Sequence, residues 1–280
     1  MKNRLISIIL LFVVTGCATG QDEALALVQN AGWRWDVMPA GKFDLAVATP
    51  ERHGKTLWVY IEGDGRAFLS PDQPSSDPTP SDPVALRLAL VHPGSAPVAY
   101  LARPCQYVLP TQARNCISDY WTNARYAPEV VASLSKAVDI LKRKTGSAHV
   151  VLVGYSGGGA LAILVAAKRK DVVGLVTVVA DLDLAYWTKR DELTPLTGSL
   201  DPAEFASAVA TISQVHFTGA LDKSVGTDVV RSFTNRLPPN APFEIIEEPD
   251  FTHTCCWEKN WVELVNNSVY KTFSLKTTWH

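Results

Sequence analysis

The chemistry in this sequence concentrates at Gly154-Tyr155-Ser156-Gly157-Gly158, a serine with glycine two residues away on either side. Before it runs Val150–Val153, aliphatic and largely β-branched with no polar interruption, which suits a strand buried on both faces of a parallel sheet. After it, Ala160, Ile163, Leu164 and Ala167 recur at helical spacing, and Lys168, Arg169 and Lys170 collect where a helix C-terminus favours cations. The serine therefore falls on a strand-to-helix turn, where the glycines let the backbone bend tightly enough to present the hydroxyl above the sheet. A serine hydroxyl is a weak nucleophile at neutral pH. To do acyl chemistry it needs a base to take its proton and a third group to orient that base. The alternative is a glycine-rich turn carrying an incidental serine.

Elements on either side must position that turn. Phe43–Ala48 reads as an early, edge-like strand, and Leu57–Ile61, Val98–Ala102, Val172–Val179, Gln214–Thr218 and Phe243–Ile246 read as strands. Asp82-Pro83 opens a helix to about Val91, with aspartate as cap and proline at its first position. Pro128 opens another, with Val131, Leu134, Val138 and Leu141 on one face and Gly146 at its end. A final helix is expected over about Glu258–Phe273. Strand and helix alternate, which argues an α/β, doubly wound, mostly parallel sheet with helices on both faces. A chain of 280 residues, 47% apolar, is large enough to bury one such domain. The formal charge of −2 and the absence of long basic runs speak against a nucleic-acid partner.

On these residues the segment around Ser156 resembles the nucleophile elbow of the α/β-hydrolase superfamily. The resemblance implies a catalytic order of serine, then an acid, then histidine. His253, in the loop Pro249-Asp250-Phe251-Thr252-His253 after the last expected strand, is the histidine that fits. Asp222, in Gly219-Ala220-Leu221-Asp222 after the preceding strand, is the acid, with Asp181 and Asp183 as rivals. The oxyanion hole would take the amide of Gly157 and that of Asp64 or Gly65, because Glu62-Gly63-Asp64-Gly65 follows a strand where the superfamily often has His-Gly. Here glutamate replaces that histidine. A short cap is expected over about residues 182–211, and Tyr155, Tyr186, Trp187 and Phe68 are the expected substrate-contacting side chains. The implied activity is hydrolysis of a small carboxylic ester through an acyl-serine, with no cofactor and no metal. A non-catalytic interaction protein on the same fold, or an acyltransferase, are the alternatives.

The first residues differ in kind. Lys2 and Arg4 precede the apolar run Leu5–Val14, too short to span a membrane and fitting a signal-peptide core. The run ends Val14-Thr15-Gly16-Cys17, which resembles the lipobox of bacterial lipoproteins. That resemblance implies removal of residues 1–16, lipidation of Cys17, a tether over 17–42 ahead of the hydrolase domain at 43–280, and a membrane anchor in the cell envelope. Ala18 after the cysteine resembles the outer-membrane sorting signal. Four further cysteines fit an oxidising compartment. Cys105 with Cys116 is the favoured pair, closing a short loop worth about 2–3 kcal/mol in the loop-entropy picture. Cys255 and Cys256 are adjacent, and a bond between them remains open, as does a metal site of His253, Cys255 and Cys256.

Overall fold

The computed structural model describes residues 19–273. Residues 1–16 and Cys17, on which the signal-peptide and lipidation expectations rest, lie outside them. No described helix is long and apolar enough to cross a membrane.

Eight strands form one sheet: β1 (Arg34–Ala40), β2 (Phe43–Thr49), β3 (Thr56–Ile61), β4 (Val98–Leu101), β5 (His149–Tyr155), β6 (Val172–Val178), β7 (Ser213–Gly219) and β8 (Phe243–Glu248). Their spatial order is β1-β2-β4-β3-β5-β6-β7-β8. Pairing is parallel from β4 to β8, while β2 runs antiparallel to both of its neighbours. β3 and β5 lie at the centre, with Thr56 opposite His149 and Ile61 opposite Gly154. Their side chains alternate between two cores. Leu57, Val59, Ile61, Val150 and Leu152 face one, and Trp58, Tyr60, Val151, Val153 and Tyr155 face the other. A strand buried on both sides needs apolar residues at every position, which is why these segments read as unbroken hydrophobic runs.

Helices α3 (Pro128–Thr145) and α4 (Gly157–Ala166) cover the first face, where α6 (Thr227–Thr234) contributes Val230 and Phe233. Helices α1 (Gly20–Asn30), α2 (Val84–Leu90) and α7 (Trp257–Leu264) cover the second. α4 is buried along its whole length, so its apolar residues run all round rather than on one stripe. α1 starts with a capping box between Thr19 and Asp22. Its first residue is packed so closely that a Cβ on Gly20 would come within 2.0 Å of the Pro80 carbonyl oxygen.

Two expectations change. Phe43–Thr49 is an interior strand, because Arg34–Ala40, which the sequence pattern does not announce, pairs outside it through a two-residue turn with Gly41 at φ +70°. Between β3 and the helix that follows lies a small hairpin, Phe68–Ser70 with Gln73–Pro74. Asp82 does not cap α2. It bonds Arg87, and the buried carboxylate of Glu62 accepts the Ala85 amide instead. The last helix lies where the sequence places it, running from Trp257 through a π turn at Val265–Val269 to Thr272.

Residues 182–211 are the stretch expected to form a cap. They form α5 (Leu184–Arg190) and a 3₁₀ stretch, Pro202–Val209, whose Ala203, Ala206 and Val209 join the core beside α4. Asp201 fixes the two pieces together by accepting the amides of Leu184, Ala185 and Ala203.

Candidate active site

The site forms where β3, β5, β7 and β8 end. Ser156 sits between β5 and α4 with φ 50° and ψ −127°, a backbone region non-glycine residues rarely occupy and one that functional sites retain despite its cost. Neighbouring glycines make the turn possible. A Cβ on Gly154 would meet the Gly158 carbonyl oxygen at 2.2 Å, and one on Gly158 would meet the Ile61 carbonyl oxygen at 2.2 Å. Any larger residue would push strand and helix apart. The Ser156 amide is held by the Val178 carbonyl of β6 at 2.8 Å.

Three side chains separated widely along the chain meet at this point. Ser156 Oγ lies 3.0 Å from His253 Nε2, and His253 Nδ1 lies 2.9 Å from Asp222 Oδ2. The Asp222 side chain is 1% exposed and the His253 side chain 23%. Asp222 Oδ1 accepts the amides of Ser224 and Val225. Burial pushes the Asp222 carboxyl up, but the bond to His253, its charge and the two amides hold it below the ordinary aspartate value. The imidazole is anchored by its own loop as well. Tyr155 donates to the His253 carbonyl at 3.1 Å, Leu221 donates to Phe251 at 3.0 Å, and Trp257 Nε1 donates to Thr252 at 3.1 Å. Such an arrangement can draw a proton from a serine and steady the imidazolium that results.

The rival acids have other partners. Asp183 caps α5 at the Tyr186 amide and pairs with Ser232 and Arg236. Asp181 is fully buried, its carboxyl raised by that burial, and accepts from the Tyr126 hydroxyl at 3.3 Å.

A cleft of about 320 Å³ opens at Ser156, lined among others by Gly63, Asp64, Gly65, Pro80, Tyr155 and His253. The Glu62–Gly65 loop forms its wall on the oxyanion side. A Cβ on Gly63 would touch the Ser156 Cβ at 3.3 Å, so glycine lets this loop lie against the nucleophile. The Gly63 amide is taken by Glu62 Oε1 at 3.0 Å, whereas Asp64 and Gly65, with φ +68° at Gly65, face the cleft. Glu62 is 1% exposed, and burial raises its carboxyl to about 7. The Asp64 side chain turns away into a cluster that sequence reading missed. Arg103 Nη1 pairs with Oδ1, Arg125 Nη1 lies 2.8 Å from Oδ2, and the Tyr126 hydroxyl lies 3.2 Å from each oxygen.

Of the other expected side chains, Tyr155 lines the cleft and the rest do not. The Tyr186 hydroxyl is bound to Asp228 at 3.0 Å, Trp187 Nε1 to the Ser224 carbonyl at 3.0 Å, and Phe68 is exposed on its hairpin. Cys105 and Cys116 are disulfide-bonded, and so are Cys255 and Cys256, so these last two thiols are not free to join His253 around a metal.

No protein-family model matches the sequence, and no curated protein matches it. Solved structures do match in shape. An esterase of Pyrococcus furiosus superposes with a TM-score of 0.60 at 14% identity, over 87% of this chain and 93% of that one. The chain has the α/β-hydrolase fold. Est1E from Butyrivibrio proteoclasticus gives a TM-score of 0.57 at 12% identity over 86% of this chain and 99% of that one. Dipeptidyl peptidase 4 of Porphyromonas gingivalis gives 0.58 at 15% identity, and there 86% of this chain spans only 35% of the longer protein. Esterases and peptidases thus share this fold, so the fold alone does not choose between them.

Proposed function

We propose that this protein is a serine hydrolase that cleaves small carboxylic esters. The observation that carries the reading is the continuous line of hydrogen bonds from Ser156 Oγ through His253 to Asp222. As Ser156 attacks an acyl carbon, His253 Nε2 takes its proton, and Asp222 keeps Nδ1 protonated and stabilises the imidazolium. The tetrahedral oxyanion is received by the amides of Gly157 and of Asp64 or Gly65, which costs no reorganisation because both segments are already fixed. The imidazolium then returns its proton to the leaving alcohol. Water attacks the acyl-serine through the same base and regenerates the free hydroxyl. The esterases among the similar structures, which match along nearly their full length, support an ester rather than a peptide as the first substrate to try.

We also propose that the chain works as a lipoprotein of the bacterial cell envelope, at the outer membrane facing the periplasm, held through Cys17. The signal-like residues 1–16 and the disulfide-bonded cysteines support that placement. Labelling with a fluorophosphonate tests the chemistry: one equivalent on Ser156, abolished in Ser156→Ala, is expected, and an unreactive Ser156 with no ester turnover refutes it. Products formed with added alcohol acceptors separate hydrolysis from acyl transfer. For the anchor, the mature N-terminal peptide is expected to carry acylated Cys17, and Cys17→Ser to leave the membrane fraction.

A further inference from the structure

The sheet holds the Glu62–Gly65 loop at its first residue, whose amide donates to the Leu101 carbonyl at 3.1 Å. Past the end of β3 it is gripped by a second loop, the turn at residues 103–107. Gln106 Nε2 donates to the Gly63 carbonyl at 2.9 Å, and Arg103 Nη1 pairs with the Asp64 carboxylate. Both gripping side chains are buried, Gln106 at 1% and Arg103 at 3% exposure, and they also hold each other, with the Arg103 amide donating to Gln106 Oε1 at 3.2 Å. These two contacts fix successive residues of the loop, one by its carbonyl and one by its side chain. The peptide between Gly63 and Asp64, whose N–H is the candidate oxyanion donor, is therefore pinned at both ends.

The gripping turn is itself an improbable shape for its sequence. Cys105, with φ 72°, and Tyr107, with φ 57°, take left-handed backbone conformations without being glycine. Cys105 lies between the two gripping residues and is cross-linked to Cys116, eleven positions on, across a Cα–Cα distance of 5.6 Å.

We infer that Arg103 and Gln106 are positioning residues for the oxyanion-stabilising loop and that the Cys105–Cys116 disulfide holds them to that task, so that turnover at Ser156 depends on a cross-link outside the cleft. This rests on the serine-hydrolase reading for its kinetic consequence, though the mechanical coupling between the two loops does not. The effect belongs to the transition state, because the donor is engaged by the oxyanion and little by the ground-state ester.

The test compares the wild type with Arg103→Lys, Gln106→Met and the double variant Cys105→Ala/Cys116→Ala. kcat and KM are measured on acetyl and butyryl p-nitrophenyl esters, together with inhibition by a trifluoromethyl ketone, which forms an oxyanion on the serine. Losing a single oxyanion donor costs about 10²–10³-fold, so a displaced one is expected to lower kcat by about tenfold or more. The ketone's inhibition constant should rise by a matching factor while KM moves little. Folded variants with wild-type kcat, or with KM and kcat changed but ketone binding intact, overturn the inference. Should the cysteine variant not fold, hydrogen exchange on the wild type decides: reduction must accelerate exchange over residues 62–66, and unchanged protection there refutes the coupling. A wild type that is not labelled by fluorophosphonate would remove the hydrolase reading alone, since the exchange measurement still reports on the grip.

Discussion

Two parts of the site are built in opposite ways. The nucleophile, base and acid each sit within a few residues of a strand end, so the register of β5, β7 and β8 brings them together. Their mutual bonds are two, and both belong to the proposed chemistry. The oxyanion side leaves β3 and then depends on buried polar side chains from elsewhere in the chain: Glu62 within the loop, Arg103 and Gln106 from one turn, Arg125 and Tyr126 from the approach to α3. One half takes its precision from backbone pairing and spends its side chains on reaction. The other spends its side chains on holding the backbone, which then does the work. Substitutions should therefore separate the halves by which quantity they change.

The largest expected effect falls on the first half. Ser156→Ala, His253→Ala and Asp222→Asn should each lower kcat by about 10⁴-fold or more on an ester substrate. Thermal unfolding midpoints for Ser156→Ala should stay near wild type, since no long-range contact of the core is removed. A stability loss comparable to the activity loss would blur the division. On the second half, Asp64→Ala leaves two buried guanidinium groups without their carboxylate, and breaking a buried pair in this way costs about 3–5 kcal/mol. Urea denaturation should show that loss.

Glu62 sharpens the contrast through pH. Its carboxyl rises from the ordinary 4.5 to about 7 on burial, so between those values the folded protein keeps a proton that the unfolded chain has released. Stability from this group is fully present below pH 4.5 and declines as pH rises toward 7, by about 3 kcal/mol in all. Urea midpoints at pH 5 and pH 8 should differ in that direction, and Glu62→Gln should flatten the difference. The smallest change is expected at Tyr186→Phe, which removes a hydroxyl bound to Asp228 away from the cleft. An ester kcat/KM altered by more than about twofold would mean that α5 reaches the substrate after all.

The same division explains what the sequence discloses. Strand-end residues are readable because periodicity locates strands and chain order ranks the candidates, so Ser156, Asp222 and His253 could be named from spacing and resemblance, and the fold sets them side by side. Arg103, Gln106, Arg125 and Tyr126 stand in an irregular stretch where no period fixes a position. Two features hinted at them: an arginine and a glutamine around a cysteine expected to be bonded, and an Asp64 with no evident partner. β1 escaped notice because its outer positions are half-exposed, it contains Pro39, and an edge strand needs no unbroken apolar run. Tyr186 and Trp187 misled because an aromatic residue in an insertion looks the same in sequence whether it faces a ligand or a neighbouring helix.

The close seat of Gly20 on Pro80 has a practical outcome. Pro80 and Ser81 line the cleft, so a side chain at residue 20 would press on a wall that faces Ser156.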